Sequence, residues 1–418
     1  MLADRAQSSS RSRDAHERAT IPSAPVKVSF LLPTRNRLQY LKLAIETVCR
    51  QELPDWEIAI SDNDSSEDIA GYVSSLEDER IVYRRMPEFV PVTENWNAAL
   101  ELSTGDYVLM LGDDDGLLPD FLPRMTELLE SFSNPDLVYL GSLLYTYPGV
   151  DPSAPHGFVT NNSFADFFAG TSEPFVLSRA QALAAVRKTM SFRLAFNFNM
   201  QLSLVSRPLV ERLRPYGPFF QSQFPDYYAT CAAFLQAQTI VADPRPAVVI
   251  GVTPKSYGFF HLNDRENEGR AFLDADASAP RRLPGSNINE GWLEAVETIE
   301  HNFGREHGLS VNRRRYRFMQ AAHVYSRRFR GQGSEEEVQM LERRLPPLER
   351  LVFRSADAIA RALATLLPRT VWERLARRTL RQFPKWTPER REDGFGDMLE
   401  LFESERHAFA TQAPRNHS

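Results

Sequence analysis

The chain has 418 residues, 42% of them hydrophobic, and its 49 Lys and Arg face 55 Asp and Glu for a formal net charge of -6. That length exceeds what one core usually serves, so one large domain with an appended piece is expected, and the apolar fraction suffices to build its core. The acidic balance excludes a general nucleic-acid binder, although Arg is concentrated in the C-terminal third and is available for a local basic surface.

Residues 1–24 are rich in Ser, Arg and Asp and have no apolar run, so they read as a disordered leader rather than a signal peptide. No stretch of about 18 apolar residues is present to span a bilayer, and a cytoplasmic protein is expected. Val26 to Leu32 has the content of an interior strand and stops at the polar turn Pro33-Thr-Arg-Asn-Arg37. Leu38, Leu41, Ile45 and Val48 then recur at spacings of three and four, which predicts a helix to about Arg50. Trp56 to Ile60 repeats the strand pattern, Ser61 to Asp68 the polar turn, and Ile69, Val73 and Leu76 the helix. A third unit follows, with a strand over Arg80 to Arg84, a loop through Pro87 and Pro91, and a helix from about Thr93 to Leu102. Strands alternating with helices predict an α/β fold with a mostly parallel sheet and helices on both faces, where ligands sit at the carboxyl ends of the strands. Cys49 and Cys231 lie far apart in helical stretches and are expected as buried free thiols.

The next strand, Tyr107 to Leu111, runs into Gly112-Asp-Asp-Asp-Gly116. Three carboxylates at the edge of a core need a cationic partner, and no Lys or Arg lies between Gly105 and Pro123. A hard divalent ion, Mg²⁺ or Mn²⁺, completed by water and substrate phosphates, is the expected partner. The alternative is a solvated acidic turn closed by Gly116 and Pro119. Pro33 to Arg37, Asp62 to Asp64 and Asp113 to Asp115 all follow strands, so one crevice can receive all three.

Four stretches in order, Val26 to Arg37, Ile58 to Ser66, Asn95 to Leu100 and Gly105 to Asp115, resemble the motifs of family 2 glycosyltransferases with the GT-A fold. The likeness is clear over residues 26 to about 125 and weak to about 260. It implies an inverting, nucleotide-sugar-dependent transferase with a carbohydrate or lipid-linked acceptor, as in bacterial surface polysaccharide or glycolipid synthesis. By the same likeness Pro33, Arg35 and Asn97 stand beside the nucleotide, Asp62 on its base, and Asp113, Asp114 and Asp115 on ribose and metal. The chain departs from the family where many members have Asp-Asp-Gly-Ser and it has Asp62-Asn-Asp-Ser65, and where many have Asp-x-Asp-Asp and it has Gly112-Asp-Asp-Asp115. Trp96 also stands where many members carry Arg. Asp114 aligns best with the principal metal ligand, and which of its neighbours joins it stays open. Two rivals are a nucleotidyltransferase, which would need a Gly-rich phosphate loop where Pro33 to Arg37 has no glycine, and a non-catalytic sugar-nucleotide-binding scaffold.

Phe132 to Gly170 reads as irregular and aromatic, and helical patterns return over Ser178 to Lys188 and Met200 to Leu213. Pro225-Asp226 opens another helix, where Asp is a common first-turn residue. The resemblance puts Asp226 at the family's catalytic base, ahead of a strand such as Ala247 to Val252. His261 is either a diphosphate contact on a lid or a surface residue. The expected organisation is a GT-A domain over residues 25–273, a linker over 274–289, a helical region over 290–404 and a disordered tail over 405–418. Within the helical region an apolar stripe from Leu351 to Leu367, flanked by Arg354, Arg361, Arg369, Arg374 and Arg377, suits packing on the catalytic domain, a homodimer, or peripheral contact with an anionic membrane face.

Overall fold

The computed structural model describes residues 26–152, 154–256, 259–260, 282–364 and 390–412. The expected leader, His261, the first half of the linker and the end of the C-terminal stripe lie outside the described residues.

Strands β1 (Val28–Thr34) and β2 (Trp56–Asp62) are buried along their whole length. Helices cover both faces of such strands, which is why they read as unbroken apolar runs rather than alternating ones. Helix α1 (Leu38–Cys49) buries Leu41, Ala44, Ile45 and Val48. Helix α2 (Ile69–Ser75) leads to β3 (Ile81–Arg85), and α3 (Val92–Leu102) to β4 (Tyr107–Met110). These four strands pair in parallel in the order β3-β2-β1-β4. Their carboxyl ends therefore lie on one edge, where the Pro33, Asp62 and Asp113 turns emerge.

Beyond β4 the sheet becomes mixed. After the short β5 (Gly116–Leu117), helix α4 (Phe121–Ser131) leads into the ten-residue β6 (Leu137–Thr146). The sequence reads as irregular here, and Gly141 lies within the strand. A Cβ at Gly141 would stand 2.2 Å from the carbonyl oxygen of Pro244, so the glycine admits a close crossing of backbone. Next come β7 (Phe158–Asn161), β8 (Phe175–Val176), α5 (Arg179–Met190), β9 (Ser203–Ser206), α6 (Arg207–Leu213), α7 (Pro225–Gln236) and β10 (Ile240–Val252). The helix expected over Met200 to Leu213 is instead β9 and α6. Ser206 accepts from the Leu209 amide at 3.3 Å and Pro208 occupies the first turn, which fixes the helix start at Arg207. Strand β9 lies antiparallel between β4 and β6, and β10 runs parallel to β6.

The C-terminal region shares this core. Helix α8 (Asn287–His307) begins inside the stretch expected as linker and buries Trp292, Leu293, Val296, Ile299 and Phe303. Helices α9 (Arg313–Phe329), α10 (Glu335–Arg344) and α11 (Pro347–Ala364) follow. On α11, Leu348, Leu351, Val352 and Ile359 are exposed, so this part of the apolar stripe is not consumed by packing within the chain. After β11 (Arg390–Asp393), helix α12 (Met398–Gln412) folds back onto the sheet, with Met398, Leu401 and Phe402 buried and Arg50 paired to Glu403 at 2.6 Å. The tail expected to be disordered from Glu405 is therefore helical to Gln412, because α12 has an apolar face to bury against Leu118 and Tyr145. Among the described residues no helix is long and apolar enough to cross a membrane. Both cysteines are free.

Candidate active site

The turns at the carboxyl edge, the segment from Leu194 to Gln201, the start of α7 and the end of β10 enclose a cleft of about 710 Å³. Its lining brings together Pro33, Arg35, Asp113, Asp114, Asp115 and Asp226 from the expected set. The sheet supplies the acidic turn and α7 supplies Asp226, so residues far apart in sequence face one space.

The acidic turn is not free of cations, as its sequence neighbourhood suggests. Arg37, from the loop after β1, donates to Asp113 at 2.9 Å and to Asp114 at 3.2 Å. Burial alone would lower the Arg37 pKa, but the charges of Asp113 and Asp114 raise it, so the guanidinium stays charged. Thr34 donates to the second oxygen of Asp113 at 2.7 Å. Asp115 accepts from the amides of Gly112 at 2.9 Å and Gly251 at 2.7 Å and from Gln201 at 2.6 Å. Burial, then the charge of Asp114, push Asp115 up to about 8, and burial raises Asp113 despite Arg37.

Asp114 differs from both. Arg37, Thr253 and Ser256 all donate to its Oδ2, while among the described residues Oδ1 has no protein donor. The three carboxylates expected to hold a metal thus divide, since Asp113 and Asp115 are taken up by protein donors. Among the described residues no group of three or more His, Cys, Asp or Glu is arranged to hold an ion by itself. The donors fit a hard divalent ion held through one Asp114 oxygen and completed by ligand phosphates and water, a common mode for Mg²⁺.

Asp62 and Asn97 do not line the cleft. Asp62 is fully buried and accepts from the Ser65 amide at 3.0 Å and the Tyr83 hydroxyl at 2.7 Å, so both oxygens tie the β2 turn together. Asn97 holds the loop before α7, donating to the Phe220 carbonyl at 2.9 Å and accepting from its amide at 3.1 Å. Their neighbours Asn63 and Trp96 reach the cleft instead. Arg35 stacks its guanidinium 4.0 Å from the Phe89 ring centroid, and Phe89 also lines the cleft.

Asp226 sits in the first turn of α7, where Phe224 and not Asp226 is the N-cap. It accepts from the Tyr227 amide at 3.1 Å and forms no ion pair among the described residues. Burial, only partly offset by backbone donors, pushes its carboxyl up to about 7. The other carboxylates at comparable sequence positions are engaged elsewhere: Glu211 pairs with Arg214 at 2.7 Å, and Asp243 with Arg124 at 2.8 Å.

Sequence reasoning missed Gln201, Thr253, Ser256 and Gly251. For Gly251 a signal exists, an isolated glycine in the apolar run Val248 to Val252. A Cβ there would meet the Asp114 carbonyl oxygen at 1.7 Å, so only glycine lets β10 approach the acidic turn.

Residues 29–185 match the family described as Glycosyl transferase family 2. This segment belongs to that family. Curated relatives include a GalNAc(5)-diNAcBac-PP-undecaprenol beta-1,3-glucosyltransferase of Campylobacter jejuni, 35% identical over 104 residues, which are 24% of this chain and 34% of that one. Abequosyltransferase RfbV of Salmonella typhimurium is 34% identical over 109 residues, 25% of this chain and 33% of that one. The likeness thus spans about a third of the length of these relatives. Among solved structures, S. aureus TarS 1-349 gives a TM-score of 0.44 at 14% identity, covering 76% of this chain and 90% of that one. The Pyrobaculum calidifontis mannosyltransferase PcManGT, in complex with GDP-Man and Mn²⁺, gives 0.37 at 16% identity over 86% and 88%. The family 2 segment contains β1 to β8 and the acidic turn. Asp226, Gln201 and Gly251, which complete the cleft, lie beyond it.

Proposed function

We propose that the protein is an inverting glycosyltransferase that moves a sugar from a nucleotide-sugar donor to a hydroxyl of a saccharide acceptor. The observation that carries this reading is the enclosure of Asp226, a carboxyl raised to about 7 with no cation paired to it among the described residues, in the same cleft as the Asp113-Asp114-Asp115 turn. A general base works best when its pKa lies near the operating pH, and an acceptor hydroxyl is a poor nucleophile without one. The names of the relatives, a glucosyltransferase for a diphosphate-linked glycan and an abequosyltransferase, support a saccharide acceptor in bacterial surface glycan synthesis.

In this reading Pro33, Arg35 and Asn63 border the nucleotide, and the Arg35–Phe89 stack supplies a flat cationic face for it. Asp113 fixes Arg37 and Thr34, while Asp115 anchors the turn to Gly251 and Gln201. Asp114 offers its free oxygen to Mg²⁺ or Mn²⁺, which when bound would stabilise the charge gathering on the departing diphosphate. Asp226 accepts the proton of the acceptor hydroxyl as that oxygen attacks the anomeric carbon in line with the leaving group. The amides and rings of Asn197, Phe198, Asn199 and Tyr227 form the acceptor side of the cleft.

The test is a screen of nucleotide sugars for protection against heat, followed by nucleoside diphosphate release with candidate acceptors. Protection with release that disappears in Asp226→Asn supports the reading. Protection without release from any acceptor refutes it and favours a binding scaffold.

A further inference from the structure

A second cavity, of about 600 Å³, opens where the C-terminal end of α5 meets the first turn of α9. Arg187, Lys188, Arg193, Arg314 and Arg315 line it together with Asn312, and among the described residues no carboxylate lines it. In a chain of net charge -6, five cations around one concavity are not the surface average. Their neutralisation is sparse. Lys188 pairs with Asp166 at 2.5 Å. Arg187 and Arg315 donate to the backbone carbonyls of His307 at 3.3 Å and Phe192 at 3.2 Å, which orient them without cancelling charge. Arg193 and Arg314 form no ion pair among the described residues. Burial and then the charge of Arg193 hold Arg315 below its usual range, as expected of like charges crowded without a counterion. Asn312 caps the 17-residue α9, accepting from the Arg315 amide at 3.0 Å, so the positive end of that helix points at the same space.

This cavity shares a wall with the catalytic cleft. Arg193 lines the one and Leu194, the next residue along the chain, lines the other. Between them Phe192 packs on Trp292 at 5.5 Å, and Trp292 packs on Phe198 and Tyr227 of the cleft at 5.4 and 5.8 Å. The partition is thus built of the Phe192 and Trp292 rings, behind Phe198 and Tyr227 of the cleft.

We propose that this basic cavity is a phosphate subsite of the acceptor: it takes a phosphate or diphosphate carried by the acceptor molecule while the acceptor hydroxyl lies in the cleft. Guanidinium forks and a helix N-terminus are the groups that recognise phosphate oxygens. The concavity and the shared wall favour a group on a bound molecule over a flat membrane surface. The proposal rests on the glycosyltransferase reading and names a class of acceptor within it.

The experiment compares the full wild-type chain with Arg193→Gln/Arg314→Gln, both exposed positions, and with the Arg→Lys pair at the same sites. Calorimetric titration of inorganic pyrophosphate in the presence of chelator should show affinity reduced about 10-fold or more in the Gln pair, from two lost charge-assisted contacts, and largely retained in the Lys pair. The thermal midpoint and the affinity for donor nucleotide should not change. In transfer assays the KM for a phosphate-bearing acceptor should rise in the Gln pair with kcat unchanged, while a dephosphorylated acceptor is used equally by both. Equal pyrophosphate affinity in all three proteins overturns the proposal. So does unchanged pyrophosphate affinity with loss of pelleting on phosphatidylglycerol vesicles, which would assign the cavity to a membrane surface. A wild type that shows the pyrophosphate difference but no turnover keeps the phosphate site and refutes the transferase reading alone.

Discussion

Replacing Asp226 by Asn separates catalysis from stability, because the two should move in opposite directions. Burial pushes this carboxyl up to about 7, against about 3.9 in an unfolded chain, a difference that amounts to ~4 kcal/mol. The folded pKa is the higher one, so the stabilising effect is complete below pH ~4, where both states hold the proton. As pH rises through the window from about 4 to about 7, the unfolded chain releases the proton and the folded chain keeps it, and stability falls. The side-chain amide of the Asp226→Asn variant does not titrate and still offers an oxygen to the Tyr227 backbone N–H. The variant should therefore match the wild type near pH 4 and exceed it at pH ~8 by up to ~4 kcal/mol, the upper figure because the side chain opens onto the cleft. Transfer should behave the other way. The wild-type rate should rise with pH through about 7 as the base ionises, and the Asn variant should be slower by about 10²-fold or more and show no such limb. Denaturant unfolding at both pH values, with product release measured in parallel, reads both effects. A variant with the wild-type pH dependence of stability, or with the wild-type rate, refutes the assignment of a buried general base.

Asp114→Asn should weaken nucleoside diphosphate binding in Mn²⁺ and abolish the difference between Mn²⁺ and chelator, as read by calorimetry; equal metal dependence in both proteins counts against the free Asp114 oxygen as a ligand. Arg37→Met leaves Asp113 and Asp114 buried without their counterion and should cost about 3–5 kcal/mol at neutral pH, with part of the loss recovered in acid, as measured by urea unfolding. Gly251→Ala places a Cβ against the Asp114 carbonyl and should cost about 1–3 kcal/mol while lowering donor affinity; a fully active, stable variant would mean the acidic turn does not depend on that approach. Trp292→Ala should cost about 3–5 kcal/mol and raise the acceptor KM more than the donor KM, since Trp292 backs Phe198 and Tyr227.

The first half of the fold was legible because each β-α unit repeats one pattern. β1, β2 and β4 are buried on both faces and read as apolar runs, and α1 and α3 show period 3.6 within a residue or two of their observed ends. The second half was not, because there backbone crossing overrides local pattern. Gly141 sits under the Pro244 bulge of β10, and β9 is only four residues between a 3-10 turn and a capped helix. A short antiparallel strand inserted into a parallel sheet has no period long enough to be seen.

The site divides along the same line. The acidic turn announces itself by charge after an apolar strand and Asp226 enters through the family resemblance, and the structure brings both to one cleft. Their partners do not, since nothing in Pro33-Thr-Arg-Asn-Arg37 says that Arg35 stays exposed against Phe89 while Arg37 turns inward to Asp113 and Asp114. That inward turn answers the question raised by three adjacent carboxylates, which is how they remain at the edge of a core. Among the described residues one guanidinium, one serine, two threonines, one glutamine and two amides engage every oxygen except Oδ1 of Asp114. Asp114 lines the cleft, so among the described residues that oxygen is the one position in the turn left open to an incoming cation. In the proposed transferase, a cation held there and completed by the phosphates of the donor would couple donor binding to the metal.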